Sequence, residues 1–326
     1  MSTDEVSEYR RKYEEELAKA AEKQTSFGDL MKASRSRSSR RGMAATAPAD
    51  RDEMDEALSV VKDPKAGDQL RTAALQTIGI NIEEHPDAID TLLEILRDGS
   101  LPTSHRLAVL NLMHQISFQL VRFPGKRPDF LETLRSIIDD PDPQFRRRVI
   151  GILAREKDAY VQSRLIEGLK DRSKALVPPA KAIQFLGYDV HAEHFPLLRG
   201  IVEHPPSRTA KKEALRLLAA DPSSSDMLLE VLKDSREDPE VRRVSAIALQ
   251  SAAPQKAQEE ARRILMNDDE DDGLRASSLN TLTHFGNPTD LSSDADLQRQ
   301  VDSLNRASKS RRLKQAAAEF ISRSPT

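Results

Sequence analysis

The stretch whose reading decides the fold is Asp238–Leu249, DPEVRRVSAIAL. Asp-Pro opens a helix, because the Asp side chain can accept from amides of the first turn. Pro suits the first helical position, whose N–H lacks a partner in any case. Behind this start, Val241, Val244, Ala248 and Leu249 recur at the spacing of one helix face. The same template returns in both directions along the chain. It fits Leu70, Ala73, Ala74 and Ile78, then Ala108, Val109, Leu112 and Met113, then Phe145, Val149, Ile152 and Leu153. It fits Ala182, Phe185 and Leu186, then Ala210, Ala214, Leu217 and Leu218. Leu274 with Leu282, and Leu313, Ala316, Ala317, Phe320 and Ile321, complete the series.

The eight copies are anchored at residues 70, 105, 145, 178, 210, 241, 274 and 313, so the period runs from 31 to 40 residues. A second helical pattern stands between anchors, as in DAIDTLLEILRD (87–98), PDFLETLRSIID (128–139), YVQSRLIEGLKD (160–171) and SSDMLLEVLKDS (224–235). RDEMDEALSVVKD (51–63) is the first of these partner helices. About eight helical hairpins result. One hairpin cannot bury its apolar face alone, whereas stacked neighbours share a continuous core. The longest gaps predict surface loops at QLVRFPGKRPDF (119–130) and GNPTDLSSDADL (286–297), and the charge-rich SLNRASKSRRLKQ suits a terminal cap.

Composition agrees. Trp is absent and aromatic residues are only 4% of the chain, so the core must come from Leu, Ile, Val and Ala. Ala and Leu are among the residues that cost least in a helix, which points to an all-α fold. Cys is absent, which removes disulfides, thiolate nucleophiles and cysteine metal sites. The first twenty residues contain no apolar core of a secretory signal. No apolar run approaches the ~18 residues that span a bilayer, so a cytoplasmic protein with no membrane partner is expected. A formal net charge of −3 gives the whole chain no long-range attraction to nucleic acid or anionic lipid.

A helix ending in L..L.D, a short turn, then DP.VR..A..AL resembles the HEAT repeat, and more closely the short HEAT-like variant of phycobilin lyases and bacterial adaptors. Asp238-Pro239-Glu240-Val241-Arg242 and Asp142-Pro143-Gln144-Phe145-Arg146 match best, and the copy at Pro178-Pro179 departs most. The resemblance implies a right-handed α-α superhelix, a solenoid, over residues 51–326, and says little about activity. Residues 1–24 are predicted as an amphipathic helix with Val6, Tyr9, Tyr13 and Leu17 on one stripe. Residues 25–50 read as a basic Ser/Arg/Ala linker, disordered by composition.

Seven of the eight copies carry a basic residue after the anchor: Arg71, Arg106, Arg146, Lys211, Arg242, Arg275 and Lys314. So regular a recurrence predicts a structural role, pairing with an Asp that ends the preceding helix (Asp171, Asp234, Asp268) and with turn carbonyls. Functional residues are expected where the copies differ. Positions two and six after the anchor share a face and include Asn111, Arg147, Gln184, Lys212, Arg216, Arg243 and Asn280. A concave surface lined by these helices would be basic and amide-rich, and would suit an acidic peptide or protein surface. Arg35, Arg37, Arg40 and Arg41 in SRSRSSRR (34–41) form a second, anion-attracting tail, without aromatic residues for base stacking.

Catalytic signatures are missing. NDDEDDG (267–273) has the look of a calcium loop, but Leu279 stands where its bidentate Glu belongs. The chain has no His-Glu dipeptide of the kind HEAT-like di-iron hydroxylases repeat, and no phosphate-loop, dinucleotide, nucleophile-elbow or H-E-x-x-H motif. No cofactor or metal is expected. The sequence therefore predicts a non-catalytic protein-binding scaffold or adaptor. The alternatives are a nucleic-acid-binding solenoid and a phycobilin-lyase-like enzyme.

Overall fold

The computed structural model describes residues 51–323 apart from Phe118 and Pro124. The described residues are all-helical, with seventeen α-helices and no strand. They fall into two compact units that divide after Leu153. The predicted helix of residues 1–24 and the linker of 25–50 lie outside the described residues.

The first unit holds α1 (Arg51–Lys62), α2 (Asp68–Ile80), α3 (Ala88–Arg97), α4 (Thr103–Gln115), α5 (Lys126–Ser136) and most of α6 (Pro143–Arg155). Within it α1 pairs with α2 and α3 with α4; α2 also packs on α4, and α3 packs on both α1 and α5. Of the stripes read from the sequence, Ala73, Ala74, Ile78, Val109, Leu112 and Met113 are buried, and the anchor Leu70 is only part-buried. Ala108 of the predicted stripe is only part-buried and lies at the edge of α4.

The second unit holds α7 (Ala159–Lys170), α8 (Pro179–Leu186), α9 (Phe195–Glu203), α10 (Arg208–Leu218) and α11 (Ser225–Lys233). It continues through α12 (Pro239–Ala252), α13 (Pro254–Met266), α14 (Asp272–Phe285), α15 (Pro288–Ser293), α16 (Ala295–Ala307) and α17 (Arg311–Arg323). The anchor helices pack in succession, α8 on α10, α10 on α12, α12 on α14 and α14 on α17. One core cluster joins Ile183, Leu198, Leu215, Leu228, Val241 and Leu249, and another joins Leu265, Leu279, Leu297, Leu313 and Phe320. Ile321, placed in the last stripe by its spacing, is 37% exposed.

The helix starts follow the sequence. Asp238 accepts from the Glu240 N–H at 2.9 Å, with Pro239 in the first turn. Asp271 accepts from Leu274 N–H at 2.9 Å and Asp142 from Phe145 N–H at 2.8 Å. Two expectations fail. Residues 119–130 contain a 3-10 turn at Gln119–Arg122 and the first turns of α5, and residues 286–297 contain α15 and the start of α16. The reason at the second site is local: Asn287 caps the Thr289 N–H at 2.9 Å and Pro288 opens the helix, so a run that reads as a turn starts a helix instead.

The basic ladder is built into this packing. Arg242 is buried; its Nε donates to the Leu232 carbonyl at 2.8 Å and its two Nη atoms donate to Glu270 at 2.7 Å each. Arg106 bonds the Leu96 carbonyl and Asp140, with its guanidinium 4.2 Å from the Phe145 ring centroid. Arg275 takes Asp268 at 2.7 Å as expected. Asp234 and Asp171 do not play the predicted part: Asp234 binds Arg236 and Asp171 caps Ser173. The acid that meets Arg106, Lys211 or Arg242 belongs instead to the next hairpin's turn, because a long side chain at the start of one anchor helix reaches that turn.

Candidate functional site: the exposed face of the anchor helices

None of the seven candidate residues of the described chain is buried: Asn111, Arg147, Gln184, Arg216 and Asn280 are exposed, and Lys212 and Arg243 are half-buried. That follows from the helix period, since the anchor and the residues three and four beyond it point to the core, leaving positions two and six outside. Arg35, Arg37, Arg40 and Arg41 lie outside the described residues.

In the second unit, α10 and α12 bring three of the candidates together. Glu240 stands one residue before the anchor of α12. It accepts from Lys212 Nζ at 2.8 Å and from Arg243 at 3.4 Å. The Lys212 hydrogen bond, together with its charge, holds the Glu240 carboxyl below the usual glutamate range. Arg216, one turn beyond Lys212, pairs with Glu213. Arg216, Glu240 and Arg243 rim a recess of about 210 Å³ whose wall is Val244, Ile247 and Ala248. Ile247 is 59% exposed. Three of the seven expected residues therefore lie together here, with cations paired to carboxylates beside an apolar wall. Gln184 on α8 accepts from Lys181 at 3.0 Å, and Asn280 lies on α14; neither lines the recess.

In the first unit, Asn111 joins a larger groove of about 580 Å³ between α2 and α4. Its polar rim is Thr72, Gln76, Asn111 and Gln115, and it carries no charged residue. Gly79 packs directly against α4: a Cβ there would stand 2.8 Å from Leu112 Cδ1. Ile80, the last residue of α2, lines one end and is 79% exposed. Arg147 lies on α6 and does not line this groove.

Ile247, Ile80 and Glu240 were missed in the sequence. Ile247 occupies position six after its anchor, so the helix period already places it on the exposed face. Glu240 precedes the anchor and falls outside the two-and-six rule.

Three of the five acids of 267–273 are already occupied. Asp268 takes Arg275 and Gln300, Glu270 takes Arg242, and Asp271 caps α14. Among the described residues no group of three His, Asp or Glu side chains could hold a metal ion, and no helix is long and apolar enough to cross a membrane. No protein-family model matches the chain, and no curated protein is significantly similar to it.

Proposed function

We propose that the chain is a non-catalytic protein-binding scaffold, an α-solenoid of HEAT-like hairpins that presents the exposed face of its anchor helices to a partner protein. The succession of anchor helices within each unit supports the solenoid, since each hairpin leans on its neighbours in sequence order. The observation that carries the binding function is the recess between α10 and α12. An apolar wall under a rim of Arg216 and Arg243, with Lys212 paired to the rim carboxylate Glu240, suits an acidic peptide that also offers an apolar side chain. Glu240 would then act as a stand-in for the partner's carboxylate, exchanged when the partner arrives.

The test compares tagged full-length protein with Glu240→Gln and with Lys212→Ser/Arg243→Ser in capture and mass spectrometry. A partner should be held roughly fivefold more tightly when Glu240 is neutralised, and roughly fivefold less per rim cation removed. Capture indifferent to all three substitutions overturns the proposal. Co-purified nucleic acid that disappears with Lys212→Ser/Arg243→Ser would favour the nucleic-acid-binding alternative.

A further inference from the structure

The groove of the first unit differs in chemistry from the recess of the second, and the course of the chain indicates what fills it. No residue lining the groove is charged. A charged peptide laid there would lose water and gain no counter-ion, whereas an apolar stripe carrying hydroxyl groups would meet Leu75, Leu112 and Ile80 below and amides at the rim. Ile80 stands 79% exposed at one end, uncovered by any described residue.

The entry point of the chain lies at that same end. Arg51, the first described residue, donates to Asp87 at 2.7 Å. Asp87 follows the turn that closes α2 after Ile80. The fifty residues before Arg51 therefore join the fold beside the open end of the groove. Those residues hold Val6, Tyr9, Tyr13 and Leu17 at the three- and four-residue spacing of a helix face, with two of the chain's four tyrosines. Reach is sufficient. A coil of the length of residues 25–50 spans about 28 Å, and a helix the length of α2 is about 20 Å long.

We propose that residues 3–24 dock in cis in the groove between α2 and α4. The Val6, Tyr9, Tyr13 and Leu17 stripe would cover Ile80 and Leu112, and the tyrosine hydroxyls would bond Gln76, Asn111 or Gln115. The surface offered to a partner by the first unit is then the outer side of this segment. This proposal stands independently of the acidic-partner site on α10 and α12.

The absence of native cysteine makes a clean test. In the full chain, Ala20→Cys, beside the stripe, is combined with Gln76→Cys or Gln115→Cys at the rim, or with Glu94→Cys on the exposed side of α3. Under mild oxidation a rim pair should close within one chain at least ~10-fold faster than the Glu94 pair, the effect of a raised local concentration. Adding Ile80→Asp, at an already exposed position, should abolish the difference. Equal rates for rim and Glu94 pairs would overturn the proposal. So would cross-links that form only between two chains, which would assign the groove to a second copy, or no cross-link at all.

Discussion

Arg106 and Arg242 differ from Arg71 and Arg275, although all four occupy the same place in their hairpins and all four are buried. The first pair spends every guanidinium edge. Nε goes to a carbonyl ten residues back; Arg106 adds Nη2 to that same Leu96 carbonyl and sends Nη1 across to Asp140 in the next hairpin's turn, and Arg242 sends both Nη atoms across to Glu270. The second pair turns back on its own hairpin, Arg71 to Asp68 and the Ala66 carbonyl, Arg275 to Asp268, and in each the buried Nε has no partner. The cause lies one hairpin onward. Asp98, in the turn after α3, is taken by the Ser100 N–H and hydroxyl, and the turn at 308–310 has no acid at all. The helix period places the arginine; an acid some thirty residues later decides whether it fastens neighbours together. Coupling between neighbouring hairpins is therefore uneven, and the joints that lack the forward acid are expected to open more readily.

The largest effect should come from Arg242→Met. It leaves Glu270, whose side chain is 11% exposed, without its counter-ion. Breaking such a buried pair costs roughly 3–5 kcal/mol, read as a fall in the denaturant midpoint. Arg275→Met should cost less, about 1–3 kcal/mol, because its Asp268 is 79% exposed and water can replace the guanidinium. Equal losses would mean that the forward acid is irrelevant.

Acid should then erase the difference. The Arg242 hydrogen bond holds the Glu270 carboxyl below its ordinary range. A carboxyl with a folded pKa below its unfolded one, ~4.3, stabilises fully above the unfolded value. That stabilisation is lost as pH falls through the folded value. The gap in melting temperature between the parent chain and Arg242→Met should be wide near neutrality and should close well below pH ~4. A gap constant across this range would assign the loss to packing rather than to the ion pair.

Phe145→Leu comes next. Arg106 meets a single Asp140 and the face of Phe145, where Arg242 meets a bidentate Glu270 and no ring. Removing the ring face should cost about 1–2 kcal/mol from the lost cation–π contact and the reduced volume. Val241→Ala, at the matching buried anchor beside Arg242, removes volume with no ring to lose; a comparable destabilisation there would show that volume alone matters.

Much of this was legible in the sequence. The caps Asp142, Asp238 and Asp271 and the stripes that follow them depend only on neighbours within a turn or two, and local chemistry fixes them. The register of the exposed face was legible for the same reason. What escaped depends on the third dimension. Helix α15 was hidden because Asn287-Pro288 serves equally as a turn and as a helix start, and packing against α16 decides between them. The forward partners of Arg106 and Arg242 were hidden because only stacking brings Asp140 and Glu270 within reach. Ile80 was hidden because an apolar residue on a helix reads as core until its neighbours are seen.

The smallest effect should follow Asp268→Asn, and it tests the weak side of the comparison directly. Asp268 accepts from Arg275 at 2.7 Å and from Gln300 Nε2 at 2.8 Å, yet its side chain is largely in water. An amide keeps an oxygen for either donor and gives up only the charge, which solvent and salt already screen. The midpoint should move by less than about 1 kcal/mol, and the shift should shrink further in 1 M salt. Glu270→Gln makes the same chemical change at a buried acid and should cost more, because the Arg242 guanidinium is then left in a site that water reaches poorly. If the two amides cost the same, the acid in the next hairpin confers no special coupling, and the four arginines are equivalent after all.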